Sequence, residues 1–154
     1  MLLNGDLAEG DASRVRDIIK ASTNSARPVA GIRLNSVGGS MLEGARLAAV
    51  IQNAKVATVV TSGATCAAAC FLAFVAGSQK FVSVSATVGA PGAEFSQEAA
   101  GEVPAIVRVV KRLGLLDAII EKMLNTREDE ISWLSNDDLR AMGATITGRP
   151  GQAR

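Results

Sequence analysis

Between Lys55 and Lys80 no charged residue occurs, and this constrains the fold more than any other feature of the chain. An uncharged run of that length either crosses a bilayer or lies inside the protein. Its internal order favours the interior. Val56 to Val60 is rich in β-branched residues, Thr61-Ser62-Gly63 interrupts with turn-forming types, and an Ala-rich stretch follows. A strand, a turn and a buried helix account for that order better than one membrane helix. The expectation is a folded domain built around this segment, with no membrane span in the chain.

The remaining sequence supplies the shell. A length of 154 residues points to one domain, and 48% hydrophobic residues suffice for one buried core. That domain is expected to span 1–147, with 148–154 a disordered tail. Aromatic residues make up 3% and Tyr is absent, so Ala, Val, Leu and Ile must fill the core, and base-stacking platforms or aromatic cages are not expected. Sixteen Lys and Arg against fifteen Asp and Glu leave a net charge of +1, which gives no electrostatic reason to expect nucleic acid or an anionic membrane as partner. The start Met1-Leu2-Leu3-Asn4-Gly5-Asp6 has no basic residue and no apolar run of signal length. It fits a cytoplasmic chain, or one that begins after a removed leader.

Along the chain, strands alternate with helices. Leu2-Leu3 reads as a short strand. Asp11 caps a helix carrying Val15, Ile18 and Ile19. After a loop over Asn24 to Pro28, Val29 to Leu34 reads as a strand that runs into Asn35-Ser36-Val37-Gly38-Gly39. Ser40 and Glu43 form a capping box for a second helix whose expected buried stripe is Leu42, Ala45, Ala49 and Val50. Ala54 to Thr61 reads as a strand, Ala67 to Val75 as a helix stopping at Gly77, and Lys80 to Val84 and Ala86 to Gly89 as strands. Residues 91–102 read as a loop. Helices follow over Val103 to Leu113 and Leu115 to Leu124, then an extended piece from Ile131 to Leu134, and a last helix that starts with Ser135 and Asp138 and stops at Gly143. There is no internal repeat. This alternation implies βαβ crossovers and a largely parallel sheet.

The chain contains no histidine. Ser-His-Asp and Cys-His catalysis, HExxH zinc sites and His-Cys-Cys zinc sites are all excluded within it. No cofactor or metal is expected. Cys66 and Cys70 lie four apart in an apolar stretch. They read first as two small buried hydrophobes, with a local disulfide also open to them.

Two segments carry the chemistry. Leu34 to Ser40 is a strand entering a glycine pair and a helix start. Gly63 to Cys70 is a strand-to-helix elbow of very small residues. Side by side on adjacent strands, Gly38, Gly39 and Ala69 would aim backbone N–H groups at one point, as an oxyanion hole does. These stretches resemble the Clp protease proteolytic subunit, and more closely the Clp-like proteins of the bacterial envelope. That family reads as a Gly-Asp start, an Asn-Ser-Pro-Gly-Gly turn, a Cys-Ala-Ser-Ala-Cys elbow, a Gly-Val-His strand end, and a Trp-Leu-Ser/Thr helix start leading to a Leu-Gly-Leu close. The matching stretches here are Gly5-Asp6, Asn35 to Gly39, Cys66 to Cys70, Val88 to Pro91, and Trp133-Leu134-Ser135 to Gly143-Ala144. The resemblance implies an α/β fold of the Clp/crotonase style, a superhelix of stacked βαβ units with a helical projection over 103–124, and self-assembly into homo-oligomers. It also leans towards an extracytoplasmic location.

The departures from the family pattern bear on function. By resemblance the nucleophile falls on Ala68, the general base near Pro91, and the third member around Asn125; the proline of the glycine turn is Val37. The scaffold and its backbone donors would remain while proton transfer is gone. The leading expectation is a serine-peptidase homologue without working catalytic residues, holding an extended peptide or acting in assembly. One alternative is an active hydrolase in which Ala68 replaces a native Ser. A Ser-Lys dyad would need Lys111 as base, and Ser40 and Ser62 read more simply as a helix cap and a turn residue. A second alternative is acyl-CoA chemistry of the crotonase kind, using a glutamate among Glu94, Glu98 and Glu102. Fold alone does not choose among these. The stripe Val103, Ile106, Val107, Val110 and Leu113 is expected to mediate self-association.

Overall fold

The computed structural model describes residues 1–94 and 104–148. In chain order its elements are β1 (Leu2–Asn4), α1 (Asp11–Ser22), β2 (Gly31–Asn35), α2 (Met41–Ala54), β3 (Ala57–Val60), β4 (Thr65–Ala67), α3 (Ala69–Val75), β5 (Lys80–Ser83), β6 (Thr87–Pro91), α4 (Ala105–Arg112), α5 (Asp117–Leu124), β7 (Ile131–Trp133), α6 (Asn136–Ala141) and β8 (Ala144–Thr147). Five strands form a sheet in the order β1-β2-β3-β5-β8, and every neighbouring pair is parallel. A second sheet has the order β4-β6-β7, with β4 and β6 parallel and β6 and β7 antiparallel. Parallel neighbours require crossover connections. α1 joins β1 to β2, α2 joins β2 to β3, and β4 with α3 joins β3 to β5.

The uncharged run is the centre of the molecule. It becomes β3, a Thr61-to-Ala64 turn closed by the Ala64 N–H on the Thr61 carbonyl (2.9 Å), then β4 and α3. Every residue of α3 is buried, as expected for a helix apolar on all sides. Phe71 and Phe74 supply its bulk, with ring centroids 6.5 Å apart. No helix among the described residues is long and apolar enough to cross a membrane.

Several local expectations need correction. The buried face of α2 is Glu43, Gly44, Leu47, Ala48 and Ile51, whereas Leu42 is 61% exposed. The expected stripe of Leu42, Ala45, Ala49 and Val50 is thus turned by about one residue, or ~100°. The reason is tertiary: Gly44 sits against the Ala69 carbonyl of α3, where a Cβ would lie 2.6 Å from that oxygen. On α1, Ala12 and Val15 are buried but Ile18 is half exposed. The capping box of α2 is only half formed. The Ser40 hydroxyl accepts the Glu43 N–H (3.1 Å), but the Glu43 carboxylate turns away to accept the Ala12 N–H of α1 (2.9 Å), and the Ser40 N–H donates to the Leu7 carbonyl instead. A carboxylate thereby satisfies a donor in the first turn of another helix. The Ser135–Asp138 box on α6 is complete.

The expected strand 54–61 gives up its first residues to α2, which runs to Ala54 and ends on Lys55 in the left-handed region (φ 55°). The expected helix 67–75 starts two residues later, behind β4. β8, Ala144–Thr147, is an element the sequence reading did not assign; it lies at the sheet edge beside β5. α4 and α5 occupy the expected helical region, but Val107 and Val110 are buried in this chain's own core, while Ile106 and Leu113 are partly covered. The stripe therefore packs largely within the chain. Val103, Glu98, Glu102 and most of the 91–102 loop lie outside the described residues, as does the tail beyond Gly148.

Candidate functional site

Ala68 joins β4 to α3 with φ 53° and ψ −119°. Among the described residues only it and Lys55 have positive φ without being glycine. Such a conformation costs on the order of 1–3 kcal/mol and persists only where its surroundings hold it. Here they do. The Ala67 N–H donates to the Ser36 carbonyl (3.0 Å), the Ala68 N–H to the Gly89 carbonyl (3.2 Å), and the Phe71 N–H to the Ala68 carbonyl (3.0 Å). A disulfide joins Cys66 to Cys70 across the elbow, with Cα atoms 5.2 Å apart.

The glycine turn lies directly opposite. Ser36 pairs with Cys66 as a parallel bridge, and Gly39 pairs with Leu7 in the same way. Gly38 has φ 141° and Gly39 φ 113°, both in the region where side chains are strained. A Cβ on Gly38 would stand 3.2 Å from the Ala68 Cβ, so the turn and the elbow share one cleft. At Gly39 the backbone of Leu7 occupies the space a side chain would need. Ser36, 3% exposed, organises the turn: its hydroxyl accepts the Gly38 N–H (3.2 Å) and donates to the Gly38 carbonyl (3.0 Å). Gly38 thus lies in the cleft, yet its N–H is already engaged. The N–H groups of Gly39 and Ala69 have no hydrogen-bond partner among the described residues. Sequence reasoning missed Ser36; the only signal was a hydroxyl two residues before a glycine pair, the spacing of a local side-chain-to-backbone turn.

The other candidate positions lie further along. Pro91 ends β6, two residues after Gly89, and so faces the same side of the sheet as Gly89, Ile131 and Trp133. It borders an apolar cavity of about 490 Å³ whose wall includes Met41, Leu42, Leu72, Ile106 and Val109. Asn125 is the exposed C-cap residue of α5. Its segment runs beside the continuation of β6: the Ala93 N–H donates to the Met123 carbonyl (2.7 Å) and the Glu94 N–H to the Thr126 carbonyl (2.9 Å). No side-chain hydrogen bond joins Asn125 to Pro91 or Ala68. The cleft residues Ser36, Gly38, Gly39, Ala68, Ala69, Gly89 and Pro91 carry no group that titrates near neutral pH. Lys111 is exposed in the last turn of α4, and Glu94 is exposed. Ser40 caps α2, and the Ser62 hydroxyl lies 2.6 Å from that of Ser85. Among the described residues no cluster of three His, Cys, Asp or Glu side chains could hold a metal.

Neither a protein-family model nor a curated protein matches the chain by sequence. Solved structures match it by fold. A point mutant of the 1510-N membrane-bound stomatin-specific protease superposes with a TM-score of 0.67 at 17% identity, over 95% of this chain and 77% of that one. ClpP1 from Listeria monocytogenes gives 0.64 at 21% identity, over 98% and 92%. A point mutant of ClpP1 from the same organism gives 0.59 at 17%, over 97% and 91%. The parallel five-stranded sheet, the elbow behind β4 and the glycine turn facing it together form a Clp-protease-like fold.

Proposed function

We propose that this chain is a Clp-like serine-peptidase homologue that has lost proton-transfer chemistry and retains peptide binding. One observation carries the reading: at the elbow, where the resemblance implies a nucleophile, Ala68 offers only a methyl group, and no histidine exists anywhere in the chain to serve as base. Hydrolysis needs both an attacking atom and a proton acceptor within hydrogen-bond reach. Binding needs neither. The Gly39 and Ala69 N–H groups suit a peptide carbonyl, the glycine turn suits main-chain pairing by β-strand addition, and the cavity beside Pro91 suits an apolar side chain. The buried disulfide fits an oxidising compartment. Met41, Leu42 and Val37 stay exposed beside the cleft, which suits a second copy of the chain as neighbour.

Two measurements test this reading. A fluorophosphonate probe leaves the protein unlabelled, and fluorescent extended peptides bind with saturable anisotropy. Stoichiometric labelling at any serine overturns the loss of catalysis. Absence of binding to every extended peptide in a diverse set overturns the retained one. Saturable binding of a coenzyme A thioester instead would favour acyl-CoA chemistry.

A further inference from the structure

We propose that the Cys66–Cys70 disulfide is a redox-sensitive latch on the elbow, so that the cleft keeps its shape only while the bridge is oxidised. Cys66 stands in the middle of the three-residue strand β4 and Cys70 in the first turn of α3, so the bridge spans Ala68, the elbow residue that holds an unfavourable backbone conformation. Strands β4 and β6 and the Ser36 bridge hold the strand side of the elbow. The helix side rests on the Gly44 contact with Ala69 and on burial of α3. Beyond the main chain itself, the disulfide is the one covalent tie across the elbow among the described residues. Opening it leaves the Ala68 conformation resting on the Ala68 N–H bond to Gly89 and the Phe71 N–H bond to Ala68 alone, and on this proposal these do not suffice: Ala68 leaves its positive-φ conformation and Ala69 swings away from Gly38 and Gly39. Both sulfurs belong to residues with no exposed surface, so a reductant reaches them only when the elbow opens, and oxidation state and elbow geometry are coupled. In reduction a small dithiol supplies two electrons and two protons: the Sγ–Sγ bond breaks, two thiols form, and the dithiol closes to its own cyclic disulfide. The device acts on the cleft of the proposed binding function, but its test needs no ligand.

The test is amide hydrogen exchange on the full chain in three states: oxidised, fully reduced by dithiothreitol (two thiols counted by alkylation and mass), and reoxidised. Reduction is expected to speed exchange at least tenfold in peptides covering 36–40 and 66–71, to leave α1 and the β5–β8 pair unchanged, and to reverse on reoxidation. The Cys66→Ala/Cys70→Ala double variant is expected to show the fast pattern with or without dithiol. Unchanged exchange at 66–71 after complete reduction overturns the proposal, since the bridge would then be idle. A rise of equal size in every element, or a double variant that does not fold, also overturns it, since the bridge would then staple the whole domain.

Discussion

Gly44→Ala tests whether the elbow is positioned by helix packing. Gly44 lies inside α2, where alanine gains about 0.5–1 kcal/mol over glycine through helix propensity and a less flexible unfolded chain. Against that, the new Cβ would stand 2.6 Å from the Ala69 carbonyl oxygen and 3.1 Å from the Ala69 Cβ. Ordinary contact begins at 3.4 Å, so α2 and α3 must part by about 3.4 − 2.6 = 0.8 Å. The obstacle is backbone, which cannot rotate aside, and overpacking of this kind costs about 1–3 kcal/mol. The balance is a destabilisation of about 0–2.5 kcal/mol, centred near ~1, or a Tm lower by roughly 2–4 °C per kcal/mol for a chain of this size. Urea unfolding monitored through Trp133 reads it as a lower midpoint at unchanged slope. Ala49→Gly, at an exposed position of the same helix, supplies the local propensity scale and is expected to cost about 1 kcal/mol. If Gly44→Ala instead stabilises the protein by as much as Ala49→Gly destabilises it, the helices yield freely, and the close approach is not what the glycine is for.

Glu43→Gln is expected to cost about 1–2 kcal/mol, because a buried charge-assisted acceptor of the Ala12 N–H becomes neutral and loses its 3.5 Å pairing with Arg46; an unchanged urea midpoint would contradict the cross-helix cap. Burial alone would raise the Asp138 carboxyl, but hydrogen bonds from Lys122 and Ser135, with the Lys122 charge, hold it below the usual range. Its contribution is therefore present above the unfolded value near pH ~3.9 and lost as pH falls through the lower folded value. Asp138→Asn is accordingly expected to lower stability at pH 7 by less than about 1 kcal/mol and to converge with the parent in acid; an equal deficit at low pH would place the effect elsewhere. Ala68→Ser alone is expected to give no peptidase or esterase turnover, since the hydroxyl lacks a base; robust turnover would reveal a proton acceptor that the cleft residues do not include. Sedimentation at micromolar concentration is expected to show self-association weakened by Leu42→Glu, and a clean monomer for the parent chain would refute it.

The helix and strand alternation was readable because it is a local matter. Turn residues such as Thr61-Ser62-Gly63, the Ser135–Asp138 box and the β-branched run at Val56 act through their own neighbours. β8 was not readable, since Ala144 to Thr147 becomes a strand only because β5 offers an unpaired edge. The face of α2 was misjudged for a related reason. Leu42 outweighs Gly44 on any hydrophobicity count, but Gly44 is where α3 comes close enough that only a hydrogen fits.

By itself, the sequence determined that the charge-free segment lies inside the molecule, that βαβ units surround it, and that no imidazole and no elbow hydroxyl are available for catalysis. Composition decides such things, because a missing atom cannot be supplied by folding. Only the tertiary structure decided that Gly38 and Ala68, thirty positions apart, face each other across a cleft. It also decided that Ser36 takes up one of the expected amide donors, and that Cys66 and Cys70 are bonded across the elbow. Those outcomes depend on sheet pairing and on which backbone comes within a few ångströms of which, and residue spacing along the chain does not encode that.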